Sequence, residues 1–370
     1  MFSPNDEYLS YYKSNNLCSY SKYDLINPAH GEDRLDYKDV QYYFYDDSFT
    51  KLDWKEPKES IDTLYKLRAE QLRDKYSKIV LEVCNIDGIN TLVSFLKNNI
   101  NVDEVFLYYT RGDTRSQYNN EIRINIVPKI QELQKHFNFY FRPIECDGYF
   151  IDKMWNEWAK DLLPWLENGP WTGNGLIHKD LLELVPEYDG EKNLGVIFSN
   201  GKPFVFPKLN VFRFCDILNP IHFMKEVCHY NNEDFYWYPS SEIVVKQAHL
   251  VNQWANKNKN YMNMVVPHEQ NKYDYVPLSL TNKTIYPDIK GSTFQHFTSM
   301  TRSKYDIKTR CGISNSYSPQ SWLYFENYSI KDVLLDTMKT LEKTVDSCWL
   351  EGKDIYDGLK PIWSRDYNLM

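Results

Sequence analysis

The sequence predicts an α/β protein built on a parallel sheet, on three observations. Short apolar runs recur at residues 78–83, 104–109 and 138–142. Between them the apolar residues switch to helical spacing, as on the face formed by Ile89, Leu92, Val93 and Leu96. The joints are short. Strand, helix, strand, helix, strand with short joints is the pattern of a sheet whose crossovers are helices.

Each element has its own signal. Residues 1–57 are polar and Tyr-rich, with one strand-like run, Val40-Gln-Tyr-Tyr-Phe-Tyr45, closed by Asp46-Asp47. After Pro57, Ser60 is the expected N-cap of a helix and Asp62 suits the positive end of its dipole. Ile61, Leu64, Tyr65, Arg68 and Leu72 share one face of that helix, which ends near Tyr76. The strand at 78–83 follows, then a helix ending at Asn98-Asn99, then the strand at 104–109. Residues 121–137 predict a helix with Ile122, Ile126, Ile130, Leu133 and Phe137 inward, and Pro128 either kinks it or marks a late start. The strand at 138–142 closes the unit.

Beyond it, residues 151–166 predict a Trp-rich helix. Residues 194–199 and 202–206 flank Asn200-Gly201, a strong hairpin signal. Ser240 and Ser241 are expected to cap a helix carrying Val244, Ala248, Val251 and Trp254. Residues 256–320 are loop-rich. A last helix at 330–345 carries Ile330, Val333, Leu334, Met338, Leu341 and Val345 on one face. The expected organisation is an N-terminal extension packing on the core (1–58), an α/β domain (59–230) and a mainly helical, loop-rich C-terminal region (231–370).

At about 150 residues per domain, 370 residues suggest two domains and an extension. With 42% hydrophobic and 25% charged residues, disordered, collagen-like and coiled-coil classes are excluded. No run approaches the roughly 18 apolar residues of a membrane span. The start, Met1-Phe-Ser-Pro-Asn-Asp-Glu, has no basic or apolar leader region, so an intracellular protein is expected. A net charge of −8 argues against general nucleic-acid binding. Seven scattered cysteines without a CxxC pair fit a reducing compartment. Cys228-His229 with His222 is the one Cys/His cluster, short of the four converging ligands that zinc needs.

Open parallel sheets bind ligands beyond the carboxyl ends of their strands, near helix N-termini. The first such joint is Val83-Cys84-Asn85-Ile86-Asp87-Gly88. A phosphate cradle needs backbone N–H groups unobstructed by Cβ atoms, and this joint has a single glycine, at the helix start. Asp87 is read as a helix cap rather than a magnesium ligand. The Gly169–Gly175 stretch lacks the Lys-Ser/Thr of a Walker loop. Lys246 and His249 are expected to lie near the cleft, with Arg111 and Asp113 on its border. Arg302, Lys304, Lys308 and Arg310 read as a solvated basic loop.

Several stretches carry a resemblance. They are Asp53-Trp-Lys-Glu-Pro57, the run Leu64 to Arg73, Asp74-Lys-Tyr76, Ile79-Val-Leu81, Leu96-Lys-Asn-Asn-Ile100 with Asp103-Glu104-Val105, Phe235-Tyr-Trp-Tyr-Pro239 and Ile243-Val-Val-Lys-Gln-Ala-His249. Over residues 40–255 the chain resembles the tailed-phage branch of the PP-loop ATP pyrophosphatases, the adenine nucleotide alpha hydrolase-like proteins. The resemblance implies a HUP-type Rossmann-like sheet whose first loop grips the pyrophosphate of ATP. That family's loop reads Ser-Gly-Gly-x-Asp-Ser. Here Val83, Cys84 and Asn85 replace the first three positions, Asp87 matches, and Gly88 replaces the last serine. Each replacement removes a donor or adds a Cβ, and charge-assisted contacts are worth about 1.5–3 kcal/mol each.

The expectation is therefore a phage pseudoenzyme with no cofactor, acting through phage protein partners or self-association as a virion or assembly component in the host cytoplasm. Two rivals remain. One is an adenylating enzyme using ATP, with Asp87 on magnesium and Cys84 as carrier. The other is a nucleotide-binding sensor.

Overall fold

The computed structural model describes residues 10–14, 17–19, 22, 25, 37–44, 49, 51–110, 122–146, 181–191, 193–199, 202–216, 232–236, 241–260, 275–286, 288, 360 and 362–370. The helices expected at 151–166 and 330–345, the Cys228/His229 cluster, Gly169–Gly175, Arg111, Asp113 and the basic segment 302–310 lie outside them.

In chain order the strands β1 (Ser10–Ser14), β2 (Leu17–Ser19), β3 (Gln41–Phe44) and β4 (Asp53–Trp54) precede α1 (Ile61–Lys75). Next come β5 (Lys78–Glu82), α2 (Ile86–Leu96), β6 (Glu104–Thr110), α3 (Val127–Gln134) and β7 (Tyr140–Cys146). Then α4 (Leu181–Leu184), β8 (Leu194–Phe198), β9 (Phe204–Phe206), β10 (Val211–Arg213) and β11 (Asn232–Asp234) follow. Last are α5 (Glu242–Lys257), α6 (Leu278–Ile285) and β12 (Tyr367–Leu369).

Five strands form the main sheet in the order β11-β8-β5-β6-β7, all parallel. The fold class is thus α/β and Rossmann-like. β5 and β8 are neighbours although the chain leaves β5 toward β6 and β7 and returns to β8 on the other side. The switch point therefore lies between the carboxyl ends of β5 and β8, where such sheets place ligands. The strands are nearly continuous apolar runs, as burial on both faces demands. Ile79, Val80, Leu81, Val196 and Ile197 are all fully buried.

Local chemistry accounts for most element ends. Ser60 caps α1, its side chain accepting from the Thr63 N–H at 3.1 Å. Pro128 marks a late start: residues Ile122–Ile126 form a π-helical turn and α3 begins at Val127. The third strand starts two residues later than expected and runs to Cys146.

The hairpin expected around Asn200-Gly201 does not form. β8 joins the parallel main sheet, while β9 pairs antiparallel with β10 in a second sheet. Every residue of β8 is buried, so it has no solvent face to offer a two-stranded hairpin, and burial overrides the local turn signal. Gly195 is needed there, because a Cβ would lie 2.4 Å from the Tyr76 ring. α6 falls within the stretch read as loop. Ser241 precedes α5 without a side-chain capping bond.

The second sheet has the order β4-β12-β10-β9, and β1, β2 and β3 form a third, antiparallel one. Residues 362–369 tie them together. Tyr42 N–H bonds to Trp363 O at 3.0 Å, Ser364 N–H to Phe214 O at 2.9 Å, and β12 pairs with both β4 and β10. Among the described residues no helix is long and apolar enough to cross a membrane.

Candidate functional site

The joint after β5 sits at the switch point, and Val83, Cys84, Asp87 and Gly88 in it are buried. Val83 is fully buried and continues the ladder, its N–H bonding Phe106 O at 2.9 Å. Cys84 is buried. Asn85, not Asp87, caps α2, its Oδ1 accepting from the Gly88 N–H at 3.0 Å. The capping reading of Asp87 is thereby corrected: a first-turn residue lies past the position from which a side chain reaches back to the free N–H groups. The same bond uses one of the N–H groups with which a helix start would hold an anion. Gly88 lets the first turn press onto the strand end; a Cβ there would lie 2.8 Å from both Glu82 O and Val83 Cα.

Asp87 is buried and held on both its side chain and its backbone. Lys202 Nζ pairs with its Oδ1 at 2.8 Å, and Tyr286 OH donates to the same oxygen. Tyr236 OH donates to the Asp87 carbonyl at 2.9 Å. Lys202 also donates to Asn282 Oδ1 at 2.7 Å and lies 5.8 Å from the Tyr286 ring centroid. Lys202 comes from the link after β8, and Asn282 and Tyr286 from α6 and its C-cap. The link after β8 and the C-terminal end of α6 thus converge on one carboxylate.

The network continues inward along α2. Tyr236 OH accepts from Asn90 Nδ2 at 3.1 Å and from Thr91 Oγ1 at 3.3 Å, and Ser199 Oγ donates to Thr91 Oγ1 at 2.8 Å. Tyr65 OH donates to Ile285 O and accepts from Gln247 Nε2, both at 3.0 Å. Burial, followed by the Asp87 charge, raises the pKa of Tyr236 and of Tyr286, so both remain hydroxyl donors.

Arg68 explains why a charged residue lies on the inward face of α1. It donates to Glu233 Oε2 at 3.2 Å, Asp234 O at 2.8 Å and Phe235 O at 3.3 Å, fixing the turn that aims Tyr236. Burial lowers its pKa, opposed by the Glu233 charge.

Lys246 and His249 do not join this site. Lys246 Nζ bonds Glu56 Oε1 at 2.6 Å and Pro57 O at 3.0 Å, while His249 Nε2 lies 3.0 Å from Trp54 O. They hold the segment at residues 54–57 against α5. Lys202, Tyr236, Asn282 and Tyr286 were not singled out as site residues from the sequence. Only Lys202, four residues beyond the end of β8 across the switch point, carried a positional signal. Among the described residues no three His, Cys, Asp or Glu side chains converge as a metal site.

No protein-family model matches the chain, and no curated protein matches it. Among solved structures the chain is similar to an NH3-dependent NAD synthetase from Campylobacter jejuni subsp. jejuni NCTC 11168 in complex with the nitrate ion. The identity is 13% and the TM-score 0.30, over 64% of this chain and 98% of that one. A likeness of that size decides nothing about the site, and the fold class rests on the strand order and parallel registers of the sheet itself.

Proposed function

We propose that this protein is a degenerate PP-loop homologue that keeps the sheet, has turned its nucleotide loop into packed core, and works by binding a protein partner. The observation that supports this best is the engagement of Asp87. Its carboxylate, the one loop position that matches the family, is committed to Lys202 and Tyr286. A nucleotide at this switch point would need that carboxylate and the Gly88 N–H, and the chain bonds both itself. The resemblance to the tailed-phage branch makes a phage virion or assembly protein the expected partner class, met in the host cytoplasm. On this reading no cofactor is required.

The test is pyrophosphate release from Mg-ATP by the full chain, beside Asp87→Asn. The expected result is no release above background from either. Release by wild type that Asp87→Asn abolishes would replace this reading with the adenylating enzyme, with Asp87 on magnesium and Cys84 as carrier.

A further inference from the structure

We infer that Asp87 is an internal anion: the surrounding packing builds a cationic cradle at the start of α2, and the Asp87 carboxylate occupies it. This rests on the closed-site reading above and adds which groups hold that carboxylate.

The cradle has parts from three regions of the chain. The first turn of α2 contributes the positive end of its dipole, where a carboxylate is favoured. The link after β8 contributes the Lys202 ammonium, whose side chain is only 11% exposed. The C-cap of α6 contributes the Tyr286 hydroxyl, and burial keeps its proton in place. Lys202 is also held without Asp87. Asn282 Oδ1 takes one of its protons, and the Tyr286 ring lies beneath the ammonium. The positive groups are therefore placed by the surrounding packing, and the carboxylate is the group that neutralises them.

Removing the carboxylate while leaving the cradle strands a largely buried cation, which is destabilising. An anion that binds only the folded state then restores stability by mass action. Replacing Asp87 by alanine removes one carboxylate, and formate is a carboxylate of matching size.

The experiment compares the urea unfolding of full-length wild type, Asp87→Ala and the double variant Asp87→Ala/Lys202→Met. Each is measured in sodium formate and in sodium chloride of equal ionic strength. Asp87→Ala is expected to raise the unfolding equilibrium constant about a hundredfold or more in chloride. Formate should recover part of that loss in a concentration-dependent way. It should leave wild type unchanged and lose its effect in the double variant. Asp87→Ala responding no more to formate than to chloride would overturn the inference, as would an equal response of the double variant. Should Asp87→Ala not accumulate folded, its refolding yield in the two salts gives the same reading, and equal yields overturn it. Failure here leaves the closed site itself standing. That reading falls instead if wild type binds Mg-ATP.

Discussion

A single side-chain atom at position 88 shows how tightly the joint is built. The family loop would place a serine there, yet its Cβ would sit 2.8 Å from Glu82 O and Val83 Cα. Both neighbours are backbone atoms, so neither can swing aside. Gly88→Ser is expected to destabilise the protein by about 1–3 kcal/mol, the usual range for overpacking, seen as a lower urea midpoint with an unchanged slope. A variant as stable as wild type would show that α2 does not press on β5 as described. A serine placed here to rebuild the loop would therefore act against the fold. At this scale the sequence was partly legible. The departures of Val83, Cys84, Asn85 and Gly88 from a phosphate cradle are visible in the string. The partners of Asp87 are not, because Tyr286 lies 199 residues away and no local pattern links them.

Among the elements, β5, α1 and α2 were legible because apolar period and burial agree, although the cap of α2 is Asn85 rather than the expected Asp87. Ser60 caps α1 and every inward residue expected on it is buried. The Asn200-Gly201 hairpin was misread because a local turn preference competed with burial of β8 on both faces. β4, β10 and β12 gave little signal, since strands of two or three residues carry no period. α5 was legible as a helix, while the task of its polar groups was not. Lys246 is buried and bonds Glu56 and the Pro57 carbonyl. Burial raises the pKa of Glu56, but the bonds and charge of Lys246, with the bond from Gln253, lower it further. Lys246→Ala is expected to cost about 1–3 kcal/mol, the range for charge-assisted bonds. It should also raise hydrogen exchange at the amides around residues 53–57. Unchanged exchange there would mean that α5 does not hold β4 in place.

At the scale of the molecule, the second and third sheets are joined by contacts far apart in sequence. Lys22 Nζ pairs with Asp216 Oδ2 at 2.6 Å, and Tyr12 OH donates to the same oxygen at 3.0 Å, all three side chains buried. Asp216 Oδ1 accepts from the Ile362 N–H at 2.9 Å. Deleting residues 1–50 takes Lys22 and Tyr12 from a buried carboxylate, and the remainder is expected to melt several degrees lower, since about 1 kcal/mol already moves the melting point by a few degrees. An unchanged melting temperature would show that the segment is only a tail. The central claim concerns the switch point of the main sheet, where Asp87, Lys202, Tyr236 and Tyr286 stand where a ligand would bind. Calorimetric titration of the full-length protein with Mg-ATP tests it most directly. The expected result is no heat of binding up to millimolar nucleotide, a limit of about 4 kcal/mol. Saturable binding at micromolar concentration, weakened by Lys202→Met or Asp87→Asn, would contradict it.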